Sequence, residues 1–353
     1  MDGYAVRFED ASPGARLALI GEASAGAPFP RALGENEAVR IFTGGVVPAG
    51  ADHVVIQEDT EAGGADIVIR ALQERRANIR EAGIDFMEGA LLKHEGDRLC
   101  PVDLGLIAAA NIGFVSVYRK PIVAYFDNGD ELHEPGGALG PGQIVGSNRF
   151  AMDALIAEWG GAPRYLGRAR DNPDSILEKY TAATGADILA PIGGASVGDH
   201  DYVRSAFAKA GGDMIFSKIS VRPGKPTWFG RIGETRVLGL PGNPASAIVC
   251  AILFLRRLIE LTGGARGETI LHRAALDSPL KPNGPRETYL RGQMIVGEGA
   301  RLSIIPFDNQ DSSLYSPLVN GNCLIRRAAN APAAMTGDIC DCVLYGSIGA
   351  GDA

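Results

Sequence analysis

Short runs of alternating apolar and polar residues at 16–20, 39–42, 53–57 and 67–69, separated by Gly, Pro and Asp, predict a small β domain over residues 1–90. Residues 91–119 have mixed character and read as a linker or helical remnant, with one short helix expected at 101–110. The pattern then changes. From 120 to 262, apolar runs of strand length alternate with helical runs, as in a βα-repeating domain. Two of its helices carry clear start signals, Asn172 before Pro173 and Asn243 before Pro244, and the second stops at Gly263 and Gly264. Short alternating runs return at 269–274, 287–294, 302–305, 323–326 and 339–344, so a second β domain is expected over 265–345. Residues 346–353 read as a flexible tail. The predicted class is therefore an α/β multidomain protein whose central α/β domain is flanked by an N-terminal and a C-terminal β domain.

In the central domain each apolar run ends in a cluster of chemistry-bearing residues. Run 121–127 leads into Asn128, Gly129, Asp130 and Glu131; run 165–170 leads into Asp171; run 187–192 leads into the loop GGASVGDHD, 193–201. Run 214–220 carries Lys218 and leads into Arg222, Pro223, Gly224, Lys225 and Pro226, and run 237–240 leads into Pro241, Gly242, Asn243 and Pro244. Open α/β sheets bind ligands outside the carboxyl ends of their strands, where loops and helix N-termini converge. One crevice collecting these groups would bind a polyanion.

The loop with Gly193, Gly194, Ser196 and Gly198 has the spacing of a backbone anion nest, although glycine pairs also occur wherever a strand packs tightly into a helix. Asp199 and Asp201 follow it, and Asp171 ends the preceding run. Carboxylates beside a phosphate cradle call for a divalent cation, and Mg²⁺ bridges one or two carboxylates to phosphate oxygens. Helix capping is the alternative role for each Asp, and Asn172 is the better cap beside Asp171. Lys218, Arg222 and Lys225, around a Pro-Gly turn, suit a small oxyanion; spacing puts Lys218 and Arg222 on one strand face. The GLPGNP stretch, 239–244, ends at a helix N-terminus and offers a seat for negative charge.

The chain has 353 residues, 46% of them hydrophobic, enough for two or three domains with their own cores. A net charge of -8 argues against a nucleic-acid surface. Five cysteines without C-x-x-C spacing imply neither a zinc site nor a disulfide frame, and Cys340, Asp341 and Cys342 read as strand alternation. No apolar run approaches membrane length and no signal-peptide pattern opens the chain, so a cytoplasmic location without membrane association is expected.

MDGYAV (1–6), FTGG (42–45), NGDEL (128–132), GSNR (146–149), GGASVGDHDY (193–202), RPGKP (222–226) and GLPGNP (239–244) together resemble the MoeA family of molybdopterin molybdenumtransferases, which includes the E domain of gephyrin. The resemblance spans nearly the whole chain. It implies insertion of molybdate into adenylylated molybdopterin, release of AMP and a need for Mg²⁺. It also implies a homodimer with a shared active site, and a molybdopterin adenylyltransferase as the partner supplying the substrate. Carried over by position, the family's functional residues fall on Asp2, Thr43, Arg80 and Asp85 in the first domain. In the α/β domain they fall on Glu131, Asp171, Asp201, Lys218, Arg222, Lys225, Pro241 and Pro244, and in the last domain on Arg286 and a serine of the 310–316 stretch, assigned to Ser312. Of these, Asp171, Asp201 and Glu131 are the implied metal ligands.

Three features depart from the family pattern. Its usual segment ahead of MDGYAV is not part of this sequence, so if those helices are dispensable the dimer interface must be built from what remains. The usual Ser-Thr before Gly-Asp-Glu-Leu is Asp127 and Asn128, which adds a carboxylate beside the crevice, and the usual loop Val is Ala195. The competing readings are a pterin- or nucleotide-binding scaffold and a divergent nucleotide-linked hydrolase built on the same α/β domain.

Overall fold

The computed structural model describes residues 2–194, 202–266 and 269–350. The chain divides into two compact units, Met1–Leu92 and Lys93–Ala353. The first holds one six-stranded sheet built from β1 (Gly3–Val6), β2 (Arg16–Ala23), β3 (Glu37–Ile41), β4 (His53–Ile56), β5 (Thr60–Ala62) and β6 (Asp66–Ile69), in the order β4-β1-β3-β2-β6-β5. Strand β1, inside the MDGYAV stretch, is buried along its whole length and pairs antiparallel with both β3 and β4. Gly3 lies so close to β4 that a Cβ there would sit 2.3 Å from the Val55 carbonyl oxygen, so this position requires glycine.

The second unit opens with α1 (Pro101–Ala109), whose Cys100 backbone N–H donates to the Asp103 carboxylate. Its α/β part runs β7 (Ile122–Asn128), β8 (Leu132–His133), β9 (Ile144–Val145), α2 (Asn148–Glu158), β10 (Ala162–Ala169), α3 (Pro173–Ala182), β11 (Ile188–Ile192), α4 (Tyr202–Lys209) and β12 (Asp213–Phe216). It continues through β13 (Val221–Arg222), β14 (Trp228–Ile232), β15 (Thr235–Gly239), α5 (Pro244–Cys250), a π-helical stretch Ala251–Leu255 and α6 (Arg256–Thr262). The sheet order is β10-β7-β11-β15-β14-β12, with the first four strands parallel. Successive β7 residues face opposite layers: Val123 and Tyr125 pack with Met152, Ile156 and the α5 helix, whereas Ala124 and Phe126 pack with Ile176, Tyr180 and Phe207. Burial on both faces explains the near-continuous apolar runs of this region.

The third sheet combines β16 (His272–Leu276), β17 (Glu287–Val296), β18 (Leu302–Pro306), β19 (Cys323–Arg327), β20 (Ile339–Leu344) and β21 (Gly349–Ala350), with a short helix α7 (Ser316–Val319) ahead of β19. Cys340 and Cys342 are buried on β20 with Asp341 between them on the opposite face, and every cysteine is free. No helix of the described residues is long and apolar enough to cross a membrane.

Three sequence expectations need correction. Residues 214–220 do not form one strand: β12 stops at Phe216, and Lys218 lies in the loop beyond it. Arg222 instead belongs to β13, which leaves the α/β sheet and pairs in parallel with β17, so Lys218 and Arg222 do not share a strand face. The expected tail at 346–353 contains β21, which pairs with β17 through Gly349 and Ala350. Finally, an additional strand, β14, forms a hairpin with β15. That hairpin needs Gly239, where a Cβ would fall 1.9 Å from the Trp228 indole nitrogen.

Candidate functional site

Several strand-end groups of the α/β sheet are held together by hydrogen bonds. Asn128, the last residue of β7, donates from Nδ2 to Asp171 Oδ1 at 2.7 Å, and the Asp130 backbone N–H donates to Asp171 Oδ2 at 3.0 Å. Asn172 caps α3 by accepting from the Ser175 N–H at 2.9 Å, which leaves the exposed Asp171 carboxylate free of capping duty. Gly193 and Gly194 both have positive φ, and a Cβ on Gly194 would meet Val203 Cγ2 at 2.3 Å and Asn128 Nδ2 at 2.8 Å. Gly193 donates its N–H to the Leu240 carbonyl at 3.0 Å, so that donor is spent within the fold and cannot serve an anion nest. Ser196, Gly198, Asp199 and Asp201, like Ala195, lie outside the described residues. The exposed Glu131 side chain folds back beside Gly129.

The turn 241–244 ties this region to the C-terminal sheet. Asn148, at the start of α2, donates to the Gly242 carbonyl at 2.9 Å and accepts from the Tyr315 hydroxyl at 3.0 Å. Asn243 donates to Ser312 Oγ at 3.1 Å, and the Ala245 N–H donates to the Ser312 carbonyl at 3.0 Å. Pro244 begins α5 and Pro241 is buried at the end of the preceding strand.

Beyond this turn lies a cavity of about 770 Å³, lined by residues 222–226, Ser246, residues 278–283, Arg286, residues 288–291, residues 306–308, residues 310–312 and Arg327. Its lining contains six cationic side chains, Arg222, Lys225, Lys281, Arg286, Arg291 and Arg327, against two carboxylates, Asp308 and Asp311. Among the described residues none of Arg222, Lys225, Lys281 and Arg286 has an ion-pair partner. Arg291 is only 1% exposed; one Nη donates to the Asp311 carbonyl at 2.9 Å while its buried Nε has no acceptor. Burial lowers its pKa, and the neighbouring Arg222 charge acts in the same direction. Gly224 makes the Arg222–Pro226 turn close enough that a Cβ would reach Cys250 Sγ at 2.3 Å. A concave site with this charge excess suits a small, highly charged oxyanion.

A second cavity of about 240 Å³ is lined by Asp127, Leu132, His133, Glu134, Gly146, Arg149, Tyr165 and Arg168. Asp127 is 4% exposed, and desolvation raises its pKa to about 6 despite the Tyr165 hydroxyl and the Arg149 charge.

The first unit places Asp2 and Thr43 together. Asp2 Oδ1 accepts from the Thr43 N–H at 2.9 Å and from its hydroxyl at 3.1 Å, and the backbone bond is the main reason the Asp2 pKa is lowered. Arg80 and Asp85 are exposed in an irregular stretch, and no described hydrogen bond joins either to Asp2. In the second unit the structure brings Arg222, Lys225, Arg286 and Ser312 into one cavity, while the exposed Lys218 is not part of its lining. Sequence reading missed Ser246 and Arg291. A buried Arg within a strand looks, in sequence, like an ordinary solvent-facing position, whereas the structure buries Arg291 on β17 opposite Leu324 of β19.

The chain matches three family models in order: the MoeA N-terminal region (domain I and II) over residues 1–111, a probable molybdopterin binding domain over 127–260, and the MoeA C-terminal region (domain IV) over 273–345. It is 35% identical to a molybdopterin molybdenumtransferase of Haemophilus influenzae over 329 residues, covering 92% of this chain and 81% of the relative. It is 36% identical to a molybdopterin molybdenumtransferase of Nostoc sp., covering 85% of this chain and 71% of the relative. Among solved structures, a molybdopterin biosynthesis MoeA protein from Pyrococcus horikosii superposes with a TM-score of 0.81 at 30% identity, covering 98% of this chain and 87% of that one. With the order of the three matched regions and the similarity of the relatives in agreement, the chain belongs to the MoeA family of molybdopterin molybdenumtransferases, enzymes of molybdenum cofactor biosynthesis.

Proposed function

We propose that this enzyme inserts molybdate into adenylylated molybdopterin with Mg²⁺-dependent release of AMP. The observation that carries the reading is the 770 Å³ cavity, in which Arg222, Lys225 and Arg286 converge without ion-pair partners. Cations gathered this closely repel one another, and a tetrahedral dianion relieves that cost. Arg222, Lys225 and Arg286 would hold molybdate by charge-assisted hydrogen bonds, with Ser312 and Ser246 adding hydroxyl donors and orientation.

A pair of strand-end carboxylates supports a Mg²⁺ site, although no group of three or more metal-ligating side chains lies together among the described residues. Asp171 is spared capping and fixed by Asn128 and Asp130, and Glu131 follows on the same strand-end loop. One or two carboxylates suffice for an ion that keeps several waters and is completed by phosphate oxygens. Asp171 and Glu131, together with Asp201, would hold the ion, which when bound would neutralise phosphoanhydride charge. The protein's own part is to orient: the Asn128 amide holds the Asp171 carboxylate, and the Asn148 and Asn243 amides fix the turn between crevice and oxyanion cavity.

The enzyme would act as a homodimer in the cytoplasm, with Asp2, Thr43, Arg80 and Asp85 contributed to a site shared between two chains, and with an adenylyltransferase supplying its substrate. Purified protein given adenylylated molybdopterin, molybdate and Mg²⁺ should release AMP and yield active cofactor; absence of AMP release under these conditions would reject the reading. Mixing Asp2→Ala with Asp171→Ala protein, each inactive alone, should restore part of the activity after subunit exchange. No recovery would reject the shared site.

A further inference from the structure

The 240 Å³ cavity is built around a carboxyl group that the fold leaves largely without partners. Asp127 lies on the β7 face opposite Asn128, because successive strand residues alternate. Its only hydrogen bond among the described residues comes from the Tyr165 hydroxyl, at 3.3 Å to Oδ2. No described cation lies within ion-pairing distance of it. Taking such a group out of water without satisfying its acceptors is costly, and its raised pKa, about 6, reports that cost. A carboxylate facing a cavity with a free oxygen is suited to a ligand that presents adjacent N–H donors.

The other walls supply complementary chemistry. The Arg149 guanidinium lies 5.1 Å from the Tyr165 ring centroid and pairs with Glu134 at 2.7 Å, while its buried Nε lacks an acceptor. Arg168 donates to the Leu132 carbonyl at the cavity edge. An acceptor carboxylate beside guanidinium donors matches a 2-amino-4-oxopyrimidine: the 2-amino and N3–H groups donate to Asp127, and the O4 carbonyl accepts from an arginine. The volume admits a bicyclic heterocycle, with its phosphate-bearing chain left outside. Asn148, beside the cavity-lining Arg149, bonds to Gly242, which links the cavity wall to the turn 241–244.

We propose that this cavity is the subsite for the pterin ring, with Asp127 reading its 2-amino and N3–H edge. The assignment rests on the molybdopterin-directed function proposed above, and it gives a role to a carboxylate at a position where the family pattern has Ser.

The test is calorimetric titration of the intact protein with pterin, with lumazine, which carries an oxo group in place of the 2-amino group, and with guanosine, the other common source of this edge. Pterin is expected to bind about tenfold to a hundredfold more tightly than lumazine, the range for losing a charge-assisted hydrogen bond. It is also expected to bind more tightly than guanosine, whose purine places a five-membered ring where pterin carries its pyrazine ring. Asp127→Asn, which turns one acceptor into a donor, should bring pterin and lumazine within about twofold of each other, and Arg168→Gln should weaken both alike. Equal binding of pterin and lumazine by the unmodified protein, a preference that survives Asp127→Asn, or tighter binding of guanosine overturns the assignment. Molybdate is titrated into the same samples. Retained molybdate binding without a pterin preference overturns this subsite alone, whereas loss of both overturns the proposed function as well.

Discussion

The two cavities of the second unit solve opposite electrostatic problems. The larger gathers six cationic side chains against two carboxylates, and loops from two sheets supply its walls. The smaller centres on a carboxyl group, with guanidinium groups and a tyrosine arranged around it on β7, β10 and α2. The first gathers like charges, an arrangement that would suit an anion; the second desolvates the Asp127 carboxyl, which would suit hydrogen-bond donors. Both are unfavourable arrangements for folding alone, and such arrangements cluster where a protein binds something.

The largest effect should come from Asp171, the carboxylate held at the strand ends by Asn128 and Asp130. Asp171→Asn keeps side-chain volume but removes charge from the proposed Mg²⁺ site, so AMP release should fall by more than about a hundredfold, a loss of several kcal/mol. Near-normal release at saturating Mg²⁺ would place the metal elsewhere.

Asp127 should reveal the smaller cavity through pH. Its folded pKa is raised, from 3.8 to about 6, so the folded protein binds the proton more tightly than the unfolded chain. The stability this confers is present below about pH 4 and lost as pH rises towards 6. Asp127→Asn has no such dependence, so relative to the parent it should gain about 2.5 kcal/mol between pH 4 and pH 7.5. Urea unfolding of both proteins at the two pH values measures this, since their difference cancels the other titrating groups. A constant difference would show that Asp127 is not desolvated.

In the larger cavity, Arg222→Ala and Arg286→Ala should each weaken molybdate binding by about 1.5–3 kcal/mol, roughly tenfold to a hundredfold. Neither should lower the thermal midpoint appreciably, because each removes a cation that repels its neighbours. Unchanged molybdate half-saturation in both variants would move the oxyanion site out of this cavity. The smallest effect is expected for Lys218→Ala. Lys218 is exposed and outside the cavity lining, so molybdate binding should change by less than about twofold in the same titration. A tenfold loss would mean that the loop after β12 folds over the bound anion.

Much of the fold was legible because its signals are local. Apolar runs buried on both faces announced β7 and β11, Asn172-Pro173 and Asn243-Pro244 announced the starts of α3 and α5, and alternation announced the strands of the two outer sheets. Strand β1 escaped notice because all four of its residues are buried and give no alternation. Strand β13 is two residues long, and its partner β17 begins at Glu287, so nothing near Arg222 signals the pairing.

The sequence by itself determined which residue types stand at the strand ends, the family to which they belong, and the anionic character of the ligand they suit. Carboxylates, glycines and cations keep their chemistry wherever the chain puts them. Tertiary structure alone decided which of them meet. It carried Arg222 and Lys225 to Arg286 and the buried Arg291, left Lys218 outside, and aimed Asp127 and Asn128 into opposite sides of one strand. Those outcomes depend on pairing between distant segments and on burial, and the energies of both are set by neighbours that lie far away in the sequence.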